Sequence, residues 1–416
     1  MAIALTFLAL NHSAYDGFFQ DDELDTLSWA PSRPFREFAM AMVKPTFDVS
    51  NFRPTGHLYF TLMGRGFGMD FPPYITPILA IHLLNVLLLF LIVRKLGISG
   101  YTALAGAAFF ALSAAAMDAY WKPMYVFDLL CATFSLASIL LWMHRRRVLS
   151  FVAFWLAYKS KELAVMLPAV LLAYEYWLGE RRYRVLIPFL IASVSFGLQG
   201  ILLNPNKNND YTLRFTIESL RTTVPFYAGR VFAVPFGGCA LLLLAFIRDR
   251  RVWFGLAAML LFVFTLLFLP GRLFEAYAYL PLAGAAIALS AAASRMKPAW
   301  AWIALAIWMP WNYRTLHREQ IAKLSADDDV FAFVDNMQRW ASKHPQIHTL
   351  VYTGVPRGFH QWGVTGAWNI THNALGLSAL YRDWPEAAKA LNEETVAYAT
   401  WDSSTRTLLI QIHSPG

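Results

Sequence analysis

The sequence predicts an all-α polytopic membrane protein that ends in a small α/β domain. Three observations predict it. The chain is 57% hydrophobic and 15% charged over 416 residues, whereas soluble domains run near about a quarter charged. Its apolar residues come in long blocks of the kind that cross bilayers. From residue 312 onward the composition turns polar, with alternating stretches that read as strands.

Met1–Leu10 is apolar but too short for a full span at about 1.5 Å per residue. It lacks the basic region and cleavage site of a signal peptide, and reads as the end of a first helix clipped by the chosen start. Residues 11–73 are polar and aromatic, a large loop that should hold short interfacial helices. Spans are expected near 74–93, 101–117, 124–143, 148–158, 163–178, 185–203, 224–247, 252–269, 276–294 and 299–311, about eleven with the first. The 148–158 and 163–178 blocks are short, as broken helices packed inside protein would be. The division is a transmembrane domain over 1–311, with 12–73 its first external loop, and a soluble domain over 312–416. Within the latter, 326–342 reads as a helix, and 350–353, 396–401 and 407–412 as strands. No internal repeat is visible.

Arg94/Lys95, Arg145–Arg147, Arg181/Arg182/Arg184, Arg248/Arg250/Arg251 and Arg295/Lys297 fall in alternate loops. The positive-inside rule makes all five cytoplasmic. The first loop, 117–123, 159–162, 204–223, 270–275 and the C-terminal domain then lie outside the cytoplasm, with the inner membrane of a bacterium the expected location. The net charge of +8 sits in short clusters between apolar blocks, which is membrane topology and not a nucleic-acid-binding stripe. Cys131 and Cys239 lie in apolar segments and form no metal or disulfide pattern.

Four charged groups fall on the external side. Asp21-Asp22-Glu23 repel one another, and so favour a cation, a basic partner or a proton. They suit a general base or a divalent metal at Asp21 and Asp22, or simply the first turn of a helix. Arg53, in Asn51-Phe52-Arg53-Pro54-Thr55-Gly56-His57, precedes a turn that could aim its guanidinium at a phosphate; a headgroup-level arginine is the plainer reading. Lys159-Ser160-Lys161-Glu162 places two lysines against the charge rule, where ionisable groups are costly and often functional, although lysines also snorkel to lipid phosphates. Arg272 and Glu275 precede Ala276-Tyr277-Ala278-Tyr279-Leu280-Pro281 and could form a simple ion pair. Together these residues suit chemistry on a lipid-linked phosphate. Cations would hold it and stabilise the leaving group, and a carboxylate would take a proton from an attacking hydroxyl.

Phe19-Gln20-Asp21-Asp22, Phe52-Arg53-Pro54-Thr55, Ser160-Lys161-Glu162 followed by Leu167–Glu175, and Glu275-Ala276-Tyr277-Ala278-Tyr279-Leu280-Pro281 occur in an order that resembles the GT-C glycosyltransferases. Within that fold the chain looks most like the transmembrane tetratricopeptide-repeat O-mannosyltransferases and their bacterial relatives. The protein O-mannosyltransferases and the lipid A aminoarabinose transferase are more distant. The resemblance covers about residues 12–294. It departs at Ala276, where the family has an arginine, and in the tail, which has no tetratricopeptide repeats. Arg272 could substitute from one turn earlier.

The resemblance implies a GT-C-like membrane domain and an inverting transfer of a sugar, a hexose such as mannose, from a polyprenyl-phosphate donor to an extracytoplasmic protein, glycan or lipid. It implies Asp22 or Asp21 as base. Arg53, Lys159, Lys161 and Arg272 would bind the donor phosphate, with Glu162 orienting Lys161. Glu23, His57, Glu275 and Tyr279 are further candidates. A transporter or flippase would also use buried charges, but should show inverted repeats with interrupted helices; a non-catalytic scaffold would bind donor without turnover.

Overall fold

The computed structural model describes residues 1–45, 52–202 and 208–415. The helices run α1 Ala2–Leu10, α2 Asp21–Trp29, α3 Phe35–Val43, α4 Pro54–Phe67, α5 Pro72–Lys95, α6 Gly100–Leu112, α7 Met117–Trp121, α8 Val126–Met143, α9 Arg147–Ser160, α10 Leu167–Trp177 and α11 Ile187–Leu202. They continue as α12 Ile217–Phe232, α13 Arg250–Phe264, α14 Tyr279–Ala293, α15 Pro298–Ala341, α16 Gln361–Thr371 and α17 Pro385–Glu393. Four strands complete the chain: β1 Thr349–Thr353, β2 Ser378–Tyr381, β3 Val396–Asp402 and β4 Thr407–His413. They divide between two compact units, one of Met1–Asn11, Arg36–Gly56 and Thr76–His317, the other of His12–Phe35, His57–Ile75 and Arg318–Gly416.

The first unit is helical. Among the described residues, five helices are long and apolar enough to cross a membrane, or seven if two bent pairs each count as one span. The chain is therefore an integral membrane protein. One bend, of 56°, separates α6 from the segment Ala114–Trp121; the other, of 82°, separates α12 from Gly237–Phe246. The second follows Pro235 and needs left-handed backbone at Ala233 and Phe236, because proline cannot continue the ladder of hydrogen bonds. Expected spans near 148–158, 163–178 and 299–311 are not among the seven.

Helix α14, Tyr279-Leu280-Pro281-Leu282-Ala283-Gly284-Ala285-Ala286, is the buried centre of this unit. Its small residues let α13 approach at backbone distance. A Cβ on Gly255 would stand 2.4 Å from Ala288 N, and one on Gly284 2.3 Å from Met259 N. Without a strong hydrophobic drive in lipid, such close packing is what holds helices together.

The second unit holds the sheet, in the order β2-β1-β3-β4. Strands β2, β1 and β3 are parallel, and β4 returns antiparallel along β3. Helices α16 and α17 supply the long connections that parallel pairing requires. Val351, Ala387, Ala390 and Val396 form the core beneath α17. The sequence predicts β1, β3 and β4; β2, four residues long, is a further strand that the structure adds. The expected break between a span at 299–311 and a helix at 326–342 is absent: α15 is one helix of 44 residues with Pro310 inside it. The hydropathy falls after Trp311, but the residues there are still good helix formers.

Candidate functional residues

In the second unit, the acidic loop is fixed before its carboxylates become available. Phe19 is fully buried between the rings of Phe71 and Tyr74. Asp327 of α15, 1% exposed, accepts from Phe18 N at 3.2 Å and from Gln20 Nε2 at 2.8 Å. Helix α2 then starts at Asp21 with a capping interaction: Gln20 N donates to Glu23 Oε2 at 2.6 Å. Glu23 is buried in that role. His57 is also buried, against the Trp29 ring at 4.9 Å.

Asp21 and Asp22 stand at the other side of this helix start and meet α16. The His360 backbone N–H donates to Asp21 Oδ1 at 2.7 Å, and His360 Nδ1 lies 2.7 Å from Asp21 Oδ2. Trp362 Nε1 donates to Asp22 Oδ1 at 2.8 Å. The approach depends on glycine. A Cβ on Gly363 would lie 2.6 Å from Asp21 Oδ1, and one on Gly366 2.5 Å from Asp25 N. Asp21 thus sits at the N-terminus of α16, where an anion is favoured. Burial nonetheless pushes its carboxyl above the ordinary range, the Asp22 charge adds to this, and the His360 bonds oppose it. Asp25 shifts the same way, from burial and the Asp22 charge. Asp22 itself is exposed.

In the first unit, the motif cations are paired. Arg53 forms a two-point ion pair with Glu162, Nε to Oε1 at 2.9 Å and Nη2 to Oε2 at 3.0 Å. Burial alone would raise the Glu162 carboxyl; the Arg53 guanidinium outweighs it and holds the pKa below the ordinary range. Thr55 Oγ1 donates to Ser160 Oγ at 2.8 Å, joining the Arg-Pro-Thr and Ser-Lys-Glu segments. Lys161 Nζ reaches both oxygens of Asp128, at 2.7 and 2.6 Å, and lies 4.0 Å from the centre of the Tyr277 ring. Both side chains are nearly buried, Lys161 at 10% and Asp128 at 3% exposure. Glu162 therefore engages Arg53, and Asp128 is the carboxylate that orients Lys161. Sequence reasoning missed Asp128; its signal was an acidic residue inside an otherwise apolar span.

Lys159 Nζ donates to the Lys44 carbonyl at 2.5 Å. Burial, and then the Lys44 charge, pull its pKa down to about 8. Arg272 lies over Tyr211 and Phe274, at 4.2 and 4.4 Å from the ring centres. Glu275 forms an ion pair with Arg230 of α12. Tyr279 is a core residue: its hydroxyl lies 2.8 Å from His82 Nδ1 and accepts from Asn85 Nδ2 at 3.2 Å. Asn51 lies outside the described residues.

Among the described residues, no group of three or more His, Cys, Asp or Glu side chains could hold a metal ion. Both Asp21 oxygens already face His360, so the Asp21–Asp22 pair does not fit a metal held by protein ligands alone.

No family model and no curated protein matches the chain. Two solved structures share its fold. Arabinofuranosyltransferase AftD from Mycobacteria superposes with a TM-score of 0.53 at 16% identity, over 91% of this chain and 31% of its own. ArnT from Cupriavidus metallidurans, bound to undecaprenyl phosphate, superposes with a TM-score of 0.57 at 10% identity, over 97% of this chain and 92% of its own. The chain thus spans about a third of AftD and nearly all of ArnT. At these identities the likeness is one of fold: this integral membrane protein shares the fold of AftD and ArnT.

Proposed function

We propose that the protein transfers a sugar from a polyprenyl-phosphate donor to an acceptor hydroxyl outside the cytoplasm, with Asp22 as the general base. The observation that carries this reading is the arrangement of Asp22: one oxygen is fixed by Trp362, and the residue is exposed. A base must be both oriented and reachable by its substrate. Asp21, with both oxygens on His360, is the partner that holds the helix start in place.

In the reaction, Asp22 takes the proton of the acceptor hydroxyl as its oxygen attacks the anomeric carbon. The bond from that carbon to the phosphate oxygen breaks, and polyprenyl phosphate leaves with the electron pair, so the configuration inverts. Lys161, Arg53, Lys159 and Arg272 are the groups assigned to the phosphate, whose charge they would stabilise as the bond breaks. Asp128 and Glu162 hold Lys161 and Arg53 in place until the donor arrives. ArnT binds undecaprenyl phosphate and AftD is an arabinofuranosyltransferase, which supports a lipid-linked donor here. A hexose such as mannose is our choice of sugar, from the motif resemblance. About eleven spans follow if α1 and the segments 148–158, 163–178 and 299–311 join the seven candidates, which leaves 159–162 as an external loop. The basic loops then orient the membrane domain of 1–311 so that the region from 312 is extracytoplasmic, in a bacterial inner membrane.

The test is binding and turnover of polyprenyl-phosphate mannose, and of a panel of related donors, by the purified protein. Release of polyprenyl phosphate that persists in EDTA supports the reading. Neither binding nor release across the panel would remove the donor class and turn attention to a transporter.

A further inference from the structure

Helix α16 contains two tryptophans in very different settings. Trp368 is fully buried, and its Nε1 donates to the His348 carbonyl at 2.8 Å. Trp362 is 47% exposed, although its Nε1 is also satisfied, by Asp22. The His360 ring stacks on it with centres 4.6 Å apart and planes within 8°, and the His360 side chain is 56% exposed. Phe359, next in the chain, is buried against Phe333 and anchors the segment. Helix α16 thus has its packing from Trp368, Phe359, Gly363 and Gly366, and does not need the His360–Trp362 stack for it.

We propose that the His360–Trp362 stack is a binding platform for a pyranose ring beside Asp22. A sugar ring has a C–H face and a rim of hydroxyls. The C–H face suits the electron-rich face of an aromatic ring. Because the indole edge is bonded to Asp22, a ring lying on this stack has its hydroxyls near the level of the carboxylate, which accepts hydrogen bonds from them. A large exposed aromatic held at one edge and stacked on one side is rigid, so little conformational freedom is lost on binding. Unsatisfied polar need does not explain the exposure, and neither does core packing. The platform deepens the transferase reading and rests on it for its chemistry; the ring belongs either to the donor or to a glycan acceptor.

The experiment uses the full chain in lipid nanodiscs, free of sugar-headed detergent. Methyl α-mannopyranoside and methyl β-glucopyranoside are titrated and followed by saturation-transfer NMR. The expected result is transfer strongest to the protons of one sugar face. Binding should weaken on the order of tenfold in Trp362→Leu and much less in Trp362→Phe, which keeps an aromatic face but drops the Asp22 bond. Should Trp362→Leu fail to fold, wild type and Trp362→Phe still decide: both must bind sugar, with the same face in contact. Equal loss in the Phe and Leu variants would make Trp362 a clamp on Asp22 alone and overturn the platform, as would no binding of either glycoside. Donor release measured on the same wild-type preparation separates this failure from failure of the transferase reading, since glycoside binding does not require turnover. Competition with the donor assigns the ring to the donor sugar, and inhibition that excess donor does not relieve assigns it to an acceptor glycan.

Discussion

Removing Asp128 should destabilise the first unit more than any single surface charge could. The Lys161 side chain is 10% exposed, and its ammonium gives two hydrogen bonds to Asp128 and lies over the Tyr277 ring. Asp128→Leu leaves that ammonium buried without its carboxylate. Breaking a buried pair in this way costs about 3–5 kcal/mol, whereas an exposed pair is worth about 0–1 kcal/mol. For a protein of this size the loss is on the order of 3–6 °C in the unfolding midpoint. The double variant Asp128→Leu/Lys161→Met replaces both charges by apolar groups and should regain most of the loss, because desolvation of both ions is then avoided. The assay is thermal unfolding of the wild type, both single variants and the double variant in one lipid environment, read as a double-mutant cycle. A loss below about 1 kcal/mol in Asp128→Leu, or strict additivity in the double variant, would refute the pairing as the source of stability.

Three further outcomes follow from other contacts. Gly284→Leu should separate α13 from α14 and abolish folded protein in detergent, because its Cβ alone meets Met259 N at 2.3 Å; a monodisperse, thermally unshifted variant would contradict the close packing. Lys159 is neutral above its pKa of about 8, so if its charge holds donor phosphate, donor affinity falls as pH rises through that value, and Lys159→Arg extends tight binding to higher pH. The same depressed pKa means the charged form is disfavoured in the fold: stability rises with pH between about 8 and the ordinary lysine value near 10.5, a gain that Lys159→Met should remove from the pH dependence of unfolding. Asp21 is shifted the other way, its carboxyl raised in the fold mainly by burial, so its contribution to stability falls as pH rises from the ordinary carboxylate value through the raised one, a dependence that Asp21→Asn should remove from the pH profile of unfolding; an unchanged profile in Asp21→Asn would detach Asp21 from the titration.

Much of the membrane unit was legible because apolar length alone identifies α5, α8, α11, α13 and α14. The first loop was legible as short helices, and the acidic pair as the start of one of them. The C-terminal region was read less well, for identifiable reasons. Gly363 and Gly366 look like loop residues in sequence, yet they lie inside α16 and serve its approach to α2. The partners of Asp21 and Asp22 lie 339 and 340 residues away in the chain, so no local pattern announces them. Asp128 is the single acid of α8 and Asp327 the first of three adjacent aspartates in α15, and only the fold shows that one holds Lys161 and the other the Phe18–Gln20 loop. Glu23, His57 and Tyr279 lie within or beside the ordered motifs, but in the structure they cap, pack and bond within the core.

The most direct test of the account is release of polyprenyl phosphate from a polyprenyl-phosphate sugar by the wild type, Asp22→Asn and Asp21→Asn, each checked for folding. The account predicts turnover in the wild type, a loss of at least about a hundredfold in Asp22→Asn, as for removal of a general base, and a smaller loss in Asp21→Asn. Wild-type turnover that survives in a folded Asp22→Asn variant would contradict the assignment of the base, and with it the mechanism proposed here.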